Sequence, residues 1–235
     1  MLQPDNYPRL LGQALTLEPQ PFVELVDDDN PWIEGLFFAF LMGLLVAAAR
    51  LLGGLLLSAT LPPPDAVLET IVVTLRQASP VSSGQFFNTE LLLRQIWPWF
   101  LAGINYGNGW QRLLGLILIP LLYIGQWLLY ASIAHCVART MGGGGKYSET
   151  LGALALSLSP RILLGATLIP FVSISPLLLH GWGVLIAYRG LEVAHNLPPG
   201  KAGVSALAPL VLGGLLVVLG GVAGSVWMAL GGGGV

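Results

Sequence analysis

Long apolar runs constrain this chain more than any other feature of its sequence. A helix needs about 20 consecutive, mainly apolar residues to cross a bilayer, and five such runs occur. Only 9% of the residues are charged, against roughly 25% in a soluble domain. We therefore predict an all-α integral membrane protein, a bundle of five transmembrane helices. The predicted spans are residues 35–58, 113–138, 149–169, 173–191 and 205–229.

Charge, cysteine content and motifs exclude several functions. The formal net charge is −2, so the chain lacks the basic field that binds nucleic acid. The single cysteine, Cys136, cannot form an intrachain disulfide or a cysteine-based zinc site. Neither an H-E-x-x-H nor a G-x-S-x-G motif occurs. We predict no enzymatic activity, no metal and no cofactor.

The chain divides into a cytoplasmic amphipathic region, residues 1–32, and a membrane domain, residues 33–235. Apolar side chains recur at helical spacing over residues 7–15, and Pro21 can start a second short helix. The acidic triplet Asp27–Asp29 could bind a metal or a basic partner, but charge runs are usually solvated. We interpret it as a solvated helix end.

Residues 61–111 form a predicted external loop with interfacial helices. "DAVLETIVVTLRQ" places apolar residues on one helical face and Glu69 and Arg76 on the other, and it is too short to span. Residues 86–103, "FFNTELLLRQIWPWFLAG", are more apolar but contain Glu90. This second segment lies at the interface or dips into the membrane; a full crossing would make six spans.

The distribution of Lys and Arg predicts the orientation, because cytoplasmic loops carry the excess of these residues. One side of the five-span arrangement carries Arg9, Arg139, Lys146, Arg189 and Lys201, and the other carries Arg76, Arg94 and Arg112. The N-terminus is therefore predicted to be cytoplasmic and the C-terminus external.

The stretch "MGGGGKYSETLG" raises the question of nucleotide binding. A phosphate-binding loop needs G-x-x-x-x-G-K-[ST] between a strand and a helix. Here Thr140 stands at the first glycine position and Tyr147 follows the lysine, so we reject that interpretation. The glycines instead predict a tight cytoplasmic turn, with Ser148 capping the third span and Glu149 in its first turn.

Arg161 is the charge placed deepest in the predicted membrane. It lies 12 residues into the third span, about 18 Å along a regular α-helix. An arginine exposed to lipid there costs about 2.5–3.5 kcal/mol. A stripe of small residues at four-residue spacing includes it and predicts that it faces the bundle. That stripe is Ala153, Ser157, Arg161 and Gly165.

Tyr123, Gln126 and Tyr130 form a polar stripe in the second span and are the predicted partners of Arg161. One interpretation is a buried hydrogen-bonded hub. The other is a binding site for an anionic group or a lipid head group, since intramembrane charges mark functional sites.

The histidines offer a weaker hypothesis. His135 and His195 fall at cytoplasmic ends of spans, and His180 lies at mid-membrane. His135 or His180 could ligate haem or chlorophyll magnesium, but a lone histidine in a bundle more often forms a hydrogen bond. His180 is kept as a candidate binding residue.

Small residues predict close helix contacts. Ala39, Gly43 and Ala47 line the first span, and Gly183 and Ala187 line the fourth. In the fifth span, Gly220 and Gly224 lie one turn apart. They either dock another membrane helix or pack against the chain's own first or fourth span.

The chain from Ala134 to Pro209 resembles the Yip family of Ypt/Rab-interacting membrane proteins, in its bacterial branch. The resemblance rests on "GGGGKYSETLGALALSLSP", on "IPF" at 169–171 and on "YRGLEVAHNLPPGKA" at 188–202. The segment "ALTLEPQPF" before the first span is similar as well. Arg161 departs from the family pattern, which favours an apolar residue after Pro160.

The resemblance implies five spans, a cytoplasmic N-terminal region and a role in membrane organisation. Eukaryotic members bind Rab GTPases in vesicle traffic, and a bacterial member implies the bacterial inner membrane. We predict a non-enzymatic protein that binds other membrane proteins or lipids, alone, as a homo-oligomer or within a larger complex. The alternatives are a small permease or transport subunit, and an accessory subunit of an energy-transducing complex.

Overall fold

The computed structural model of the protein describes residues 6–78, 83–103, 109–169 and 172–231. All of its regular elements over these residues are helical. Nine α-helices are α1 (Tyr7–Leu15), α2 (Gln20–Val26), α3 (Pro31–Thr60), α4 (Pro64–Ala78), α5 (Ser83–Gly103), α6 (Gly109–Thr140), α7 (Tyr147–Ala155), α8 (Pro176–His195) and α9 (Pro199–Gly231). A 3-10 helix, Leu156–Leu168, continues directly from α7.

Among the described residues, four helical stretches are long and apolar enough to cross a membrane. They are Pro31–Leu56, Leu113–Thr140, Tyr147–Leu168 and Pro199–Ala223. The predicted fourth span corresponds to α8, which has 20 residues. It is not among the four because Arg189 and Glu192, with two histidines, lower its hydropathy.

The described residues form two compact units. One comprises Met1–Ala39, Ile124–Pro160 and Pro176–Val235, and the other comprises Phe40–Tyr123 and Arg161–Ser175. We call them the first and the second unit. Pro170 and Phe171 of the "IPF" motif and the last four residues of the chain lie outside the described residues.

In the first unit, α2 packs against α7 and α8, and α1 packs against α2. At the C-terminal end of α1, the Leu15 carbonyl accepts a 3.1 Å hydrogen bond from Nε1 of Trp182 in α8. Tyr7 donates a 2.6 Å hydrogen bond to the buried carboxylate of Glu34. Burial and the neighbouring Glu34 raise the pKa of Tyr7, so this hydroxyl stays protonated and keeps its bond to the start of α3.

Helices α7 and α8 of the first unit run antiparallel. A Cβ on Gly190 would lie 3.2 Å from the Ala153 carbonyl oxygen, and one on Gly183 would lie 2.7 Å from that of Ser157. The later residue of one segment thus contacts the earlier residue of the other, which is the order of two antiparallel helices. The small residues predicted to line the fourth span, Gly183 and Ala187, are buried in close contact as expected.

Glycines also allow close packing in the second unit. A Cβ on Gly43 in α3 would lie 2.5 Å from Cα of Pro120 in α6. One on Gly53 would lie 2.3 Å from the carbonyl oxygen of Thr167. The helix backbones can approach this closely only where no side chain intervenes, so the prediction from the small residues of the first span is confirmed at Gly43.

The third predicted span departs from a regular α-helix. From Leu156 it winds as a 3-10 helix of 13 residues, with about 2.0 Å of rise per residue and three residues per turn. Residues four apart therefore do not share one face, and a Cβ on Gly165 would meet no atom within 4 Å. The predicted packing stripe through Ala153, Ser157, Arg161 and Gly165 is wrong beyond Leu156.

Candidate functional site

Three helices of the first unit meet at a cluster of two histidines and a threonine. Oγ1 of Thr150 lies 2.8 Å from Nδ1 of His135 and 2.8 Å from Nε2 of His195. It also lies 3.0 Å from the carbonyl oxygen of Lys146. The cluster ties the C-terminal ends of α6 and α8 to the first turn of α7. We call His135, Thr150 and His195 the histidine cluster.

The protons of the histidine cluster follow from its geometry. A hydroxyl donates one hydrogen bond and accepts two, and the Lys146 carbonyl can only accept. All three contacts are therefore hydrogen bonds when Thr150 donates to Lys146 and both imidazoles donate to Thr150. Nδ1 of His195 then carries a lone pair, and this atom is buried with no hydrogen-bond partner among the described residues.

Burial keeps His195 neutral. Its residue is 2% exposed, and desolvation lowers its pKa to about 4, with further lowering by His135 and Arg139 and an opposing effect of Glu149. Each imidazole N–H that donates to Thr150 links α7 to a neighbouring helix, α6 or α8. The cluster therefore acts as a clamp between helix ends.

The glycine-rich turn packs against this clamp. A Cβ on Gly143 would lie 2.6 Å from Nδ1 of His195, and one on Gly145 would lie 2.1 Å from the Ala194 carbonyl oxygen. Gly142 has a φ of +96°, which a side chain disfavours. By contrast, a Cβ on Gly144 would meet nothing within 4 Å. The turn therefore needs glycine at Gly143 and Gly145 because its backbone lies directly on α8, and at Gly142 because of its positive φ.

The backbone amides of the turn are already used. The N–H groups of Gly142 and Gly143 donate to carbonyls at the end of α6, and that of Gly144 donates to the His195 carbonyl at 3.2 Å. A phosphate-binding loop presents such amides to its ligand. This turn instead holds α6 and α8 together, in agreement with the rejection of nucleotide binding.

Helix α7 begins two residues earlier than predicted. Its N-cap is Lys146, whose backbone N–H donates a 2.8 Å hydrogen bond to the Glu149 carboxylate. The prediction that Ser148 caps this helix is wrong, because Ser148 lies inside the first turn. Glu149 does occupy the first turn, where its charge suits the helix dipole.

Arg161 and Tyr123 come together in the second unit. The guanidinium carbon of Arg161 lies 4.3 Å from the centre of the Tyr123 ring, within the distance of a cation–π interaction. Both side chains are half-buried. The pairing of these two residues was predicted, although as a hydrogen bond rather than as a contact with the ring face.

The polar stripe predicted on the second span continues beyond Tyr123. Gln126, about one turn further along α6, is exposed. Tyr130 donates a 2.6 Å hydrogen bond to the Ala206 carbonyl of α9. Tyr130 thus joins α6 to α9 within the first unit.

His180 is exposed, and its Nδ1 lies 2.7 Å from the Pro176 carbonyl one turn earlier in α8. Nδ1 therefore carries the proton, and this nitrogen binds its own helix. The proposed use of His180 as a ligand for haem or chlorophyll would have to rely on the other ring nitrogen.

The second half of α9 is exposed. Every residue from Leu210 to Ala223 is exposed, around the full circumference of the helix. A Cβ on Gly213, Gly214, Gly220 or Gly221 would meet no atom within 4 Å. The surroundings of Gly224 lie outside the described side chains.

Sequence reasoning placed His135 and His195 at the same membrane face but did not bring them together. Their ring centres lie 5.1 Å apart. Thr150, which bridges them, lies in the segment "GGGGKYSETLGALALSLSP" that carries the family resemblance, but nothing in that segment pairs it with a histidine. The sequence did contain one indication of the cluster: both histidines lie at ends of predicted spans, on the side of the membrane where the glycine turn lies.

The sequence was compared with known proteins. A family model, the Yip1 domain, matches residues 13–220, which is more than half of the chain. No curated protein and no solved structure gives a significant match.

Proposed function

Because this chain belongs to the Yip1 domain family, we propose that it organises the membrane by binding other integral membrane proteins or lipids, without catalysis. The observation that carries this proposal is the exposure of the second half of α9. An apolar helix that is exposed around its whole circumference must contact lipid or another helix. The family match and the four apolar helices establish a multi-pass membrane protein.

The glycines of α9 favour a helix as the neighbour on one side. Gly213, Val217, Gly220 and Gly224 repeat at helical spacing and form what we call the glycine face. Moving an apolar helix surface from lipid onto another helix gains no hydrophobic free energy, so the association of two helices depends on close packing at small residues. Val211, Leu215 and Val218 lie on the opposite side, which suits lipid.

We further propose five crossings, with α8 as the fourth. Its antiparallel packing against α7 supports this, because a helix that accompanies a membrane-crossing helix along its length returns to the original side. Lys and Arg favour a cytoplasmic N-terminus and an external C-terminus, and the resemblance to bacterial members of the family favours the bacterial inner membrane as the location.

Labelling tests the orientation. Cys136 is replaced by serine, and a cysteine is placed at Pro63 or at Gly144, which are both exposed. Gly144 is preferred to Gly143 because a side chain fits there without a clash. A membrane-impermeant maleimide on intact cells should label position 63 and not position 144. Labelling of position 144 overturns the orientation.

The binding role is tested with Gly220→Leu combined with Gly224→Leu. If the glycine face docks another helix, the variant loses its membrane partner, measured as the stoichiometric complex in mild detergent, while its melting temperature is unchanged. Val211→Leu combined with Val218→Leu is the control and should retain the complex. If the glycine variant fails to accumulate or melts much earlier, the face packs inside the chain and the proposal is wrong.

A further inference from the structure

Helices α4 and α5 of the second unit form an antiparallel hairpin with a charged seam. Arg94 in α5 bonds Glu69 in α4 at 2.7 Å and Glu90 at 3.0 Å, and Arg76 in α4 bonds Glu90 at 3.0 Å. These bonds lower the pKa of Glu90, so the seam stays ionised. Two positive and two negative charges balance, and the seam fixes the register of the two helices.

An apolar core lies beside the charged seam. Leu68 and Val72 of α4 are buried against Trp97 of α5, and partly buried residues from both helices surround them. Trp97 is 8% exposed. The side of α5 that faces α4 thus contacts that helix through the ion pairs and this apolar core.

The opposite side of α5 is mainly apolar and exposed over the part whose side chains the structure describes. Beside Thr89 at its edge, its exposed residues are Leu91, Leu92, Gln95, Ile96, Trp99 and Phe100, and at 100° per residue they fall within one half of the helix. Trp99 is 80% exposed. We call these six residues the outer face of α5.

The outer side of α4 is more polar. Thr70, Thr74 and Gln77 are exposed there, and the two threonine hydroxyls bond backbone carbonyls of their own helix. Ala66 and Val73 are exposed between these polar residues. The hairpin is therefore a two-helix layer with a mixed, partly polar outside on α4 and a mainly apolar outside on α5.

The connection to α3 indicates what covers the apolar side. Only Leu61–Pro63 separate the end of α3 from the start of α4, and these residues can bridge no more than about 14 Å. Since α3 is a candidate span, α4 begins at a membrane surface. Within the same unit, Leu52, Leu55 and Leu56 near the end of α3 are also exposed, so apolar surface continues from the span toward the hairpin.

We propose that the α4–α5 hairpin lies flat on the bilayer, with the outer face of α5 among lipid acyl chains and α4 facing water. Tryptophan and phenylalanine favour the boundary between head groups and hydrocarbon. The charged seam lies between the two layers, at the level where ionised groups meet the head groups. The occupant of the outer face is lipid, not a second protein. This inference deepens the proposed membrane topology and rests on it.

Spin labels test the proposal on the full chain. In a Cys136→Ser background, a nitroxide is attached at Leu92→Cys or Trp99→Cys on α5, and at Thr70→Cys or Gln77→Cys on α4. The protein is reconstituted in vesicles of phosphatidylcholine and phosphatidylglycerol. Collisions with oxygen, which concentrates in hydrocarbon, are compared with collisions with a water-soluble nickel chelate. All four side chains are exposed, and the unchanged melting temperature of each variant shows that it folds.

The proposal expects oxygen contact to exceed nickel contact at positions 92 and 99, and the reverse at positions 70 and 77. Equal access of nickel to positions 99 and 70 overturns it. Dipolar broadening at position 99 that disappears on dilution with unlabelled protein also overturns it, because a second copy then covers the face. A reversed maleimide pattern, or a failed α9 test, would leave the spin-label contrast intact, so the two proposals fail separately.

Discussion

Thr150 and His195 are 45 residues apart in the sequence, yet Oγ1 of the one lies 2.8 Å from Nε2 of the other. The contact fixes the start of α7 beside the end of α8. With His135 on the same hydroxyl, it closes the helix ends of the first unit around a buried polar group.

Thr150→Val keeps the shape of the side chain but removes this hydroxyl. Two imidazole N–H groups then lose their acceptor, and a buried donor without a partner costs about 1–3 kcal/mol. We expect the free energy of unfolding to fall by about 2–4 kcal/mol, measured by thermal melting in mild detergent. Thr150→Ser keeps the hydroxyl and should lose less than half as much. Equal losses in both variants would show that packing, not hydrogen bonding, holds the cluster.

The buried His195 predicts a pH dependence. Its pKa is lowered from the ordinary 6.5 to about 4, so the unfolded chain binds a proton between these values that the folded chain does not. The stabilising contribution is complete above about pH 6.5 and is lost as the pH falls toward 4, by up to about 3 kcal/mol.

Carboxylates titrate in the same range, so the comparison is with His195→Gln, which keeps a side-chain N–H donor but does not titrate. Between pH 6.5 and 4, the melting temperature of the natural protein should fall more steeply than that of the variant. Parallel curves would mean that His195 is not buried as a neutral base.

The glycine turn allows a test with an internal control. Gly143→Ala and Gly145→Ala place a Cβ at 2.6 Å and 2.1 Å from atoms of α8, and such overpacking typically costs about 1–3 kcal/mol. Gly144→Ala meets open space and should leave the melting temperature unchanged or slightly raised. If Gly144→Ala is as damaging as its neighbours, the turn does not lie on α8 as described.

The apolar pattern and the small residues predicted much of the fold, because burial and close packing are properties that single segments carry. Gly43 and Gly183 show this, as both lie where helices touch. The 3-10 winding after Leu156 could not be predicted, since the local sequence also suits an α-helix. The histidine cluster joins residues from three helices and depends on tertiary packing. The pairing of Arg161 with Tyr123 could be predicted because charged residues deep in a membrane are rare and need a partner.

Arg161→Ala should lower stability by about 1–3 kcal/mol, because it removes a charged side chain from its partners. Arg161→Leu should cost less, since leucine suits hydrocarbon. The contact with Tyr123 is measured by a double-mutant cycle with Tyr123→Leu, and a coupling of about 0.5–2 kcal/mol is expected. Tyr123→Phe keeps the ring and should retain most of the coupling. A coupling of zero, with Arg161→Ala neutral, would remove the structural role and favour a ligand at Arg161.

The central claim is that the glycine face of α9 meets another protein while the opposite side meets lipid. Val217 and Leu215 are both exposed and lie two residues apart, so they sit at nearly the same depth but on opposite sides of the helix. A benzophenone amino acid is placed at one position or the other and irradiated in intact membranes. We predict a discrete protein adduct from position 217 and only lipid adducts from position 215. Protein adducts of equal yield from both positions, or lipid adducts alone from position 217, would contradict the account.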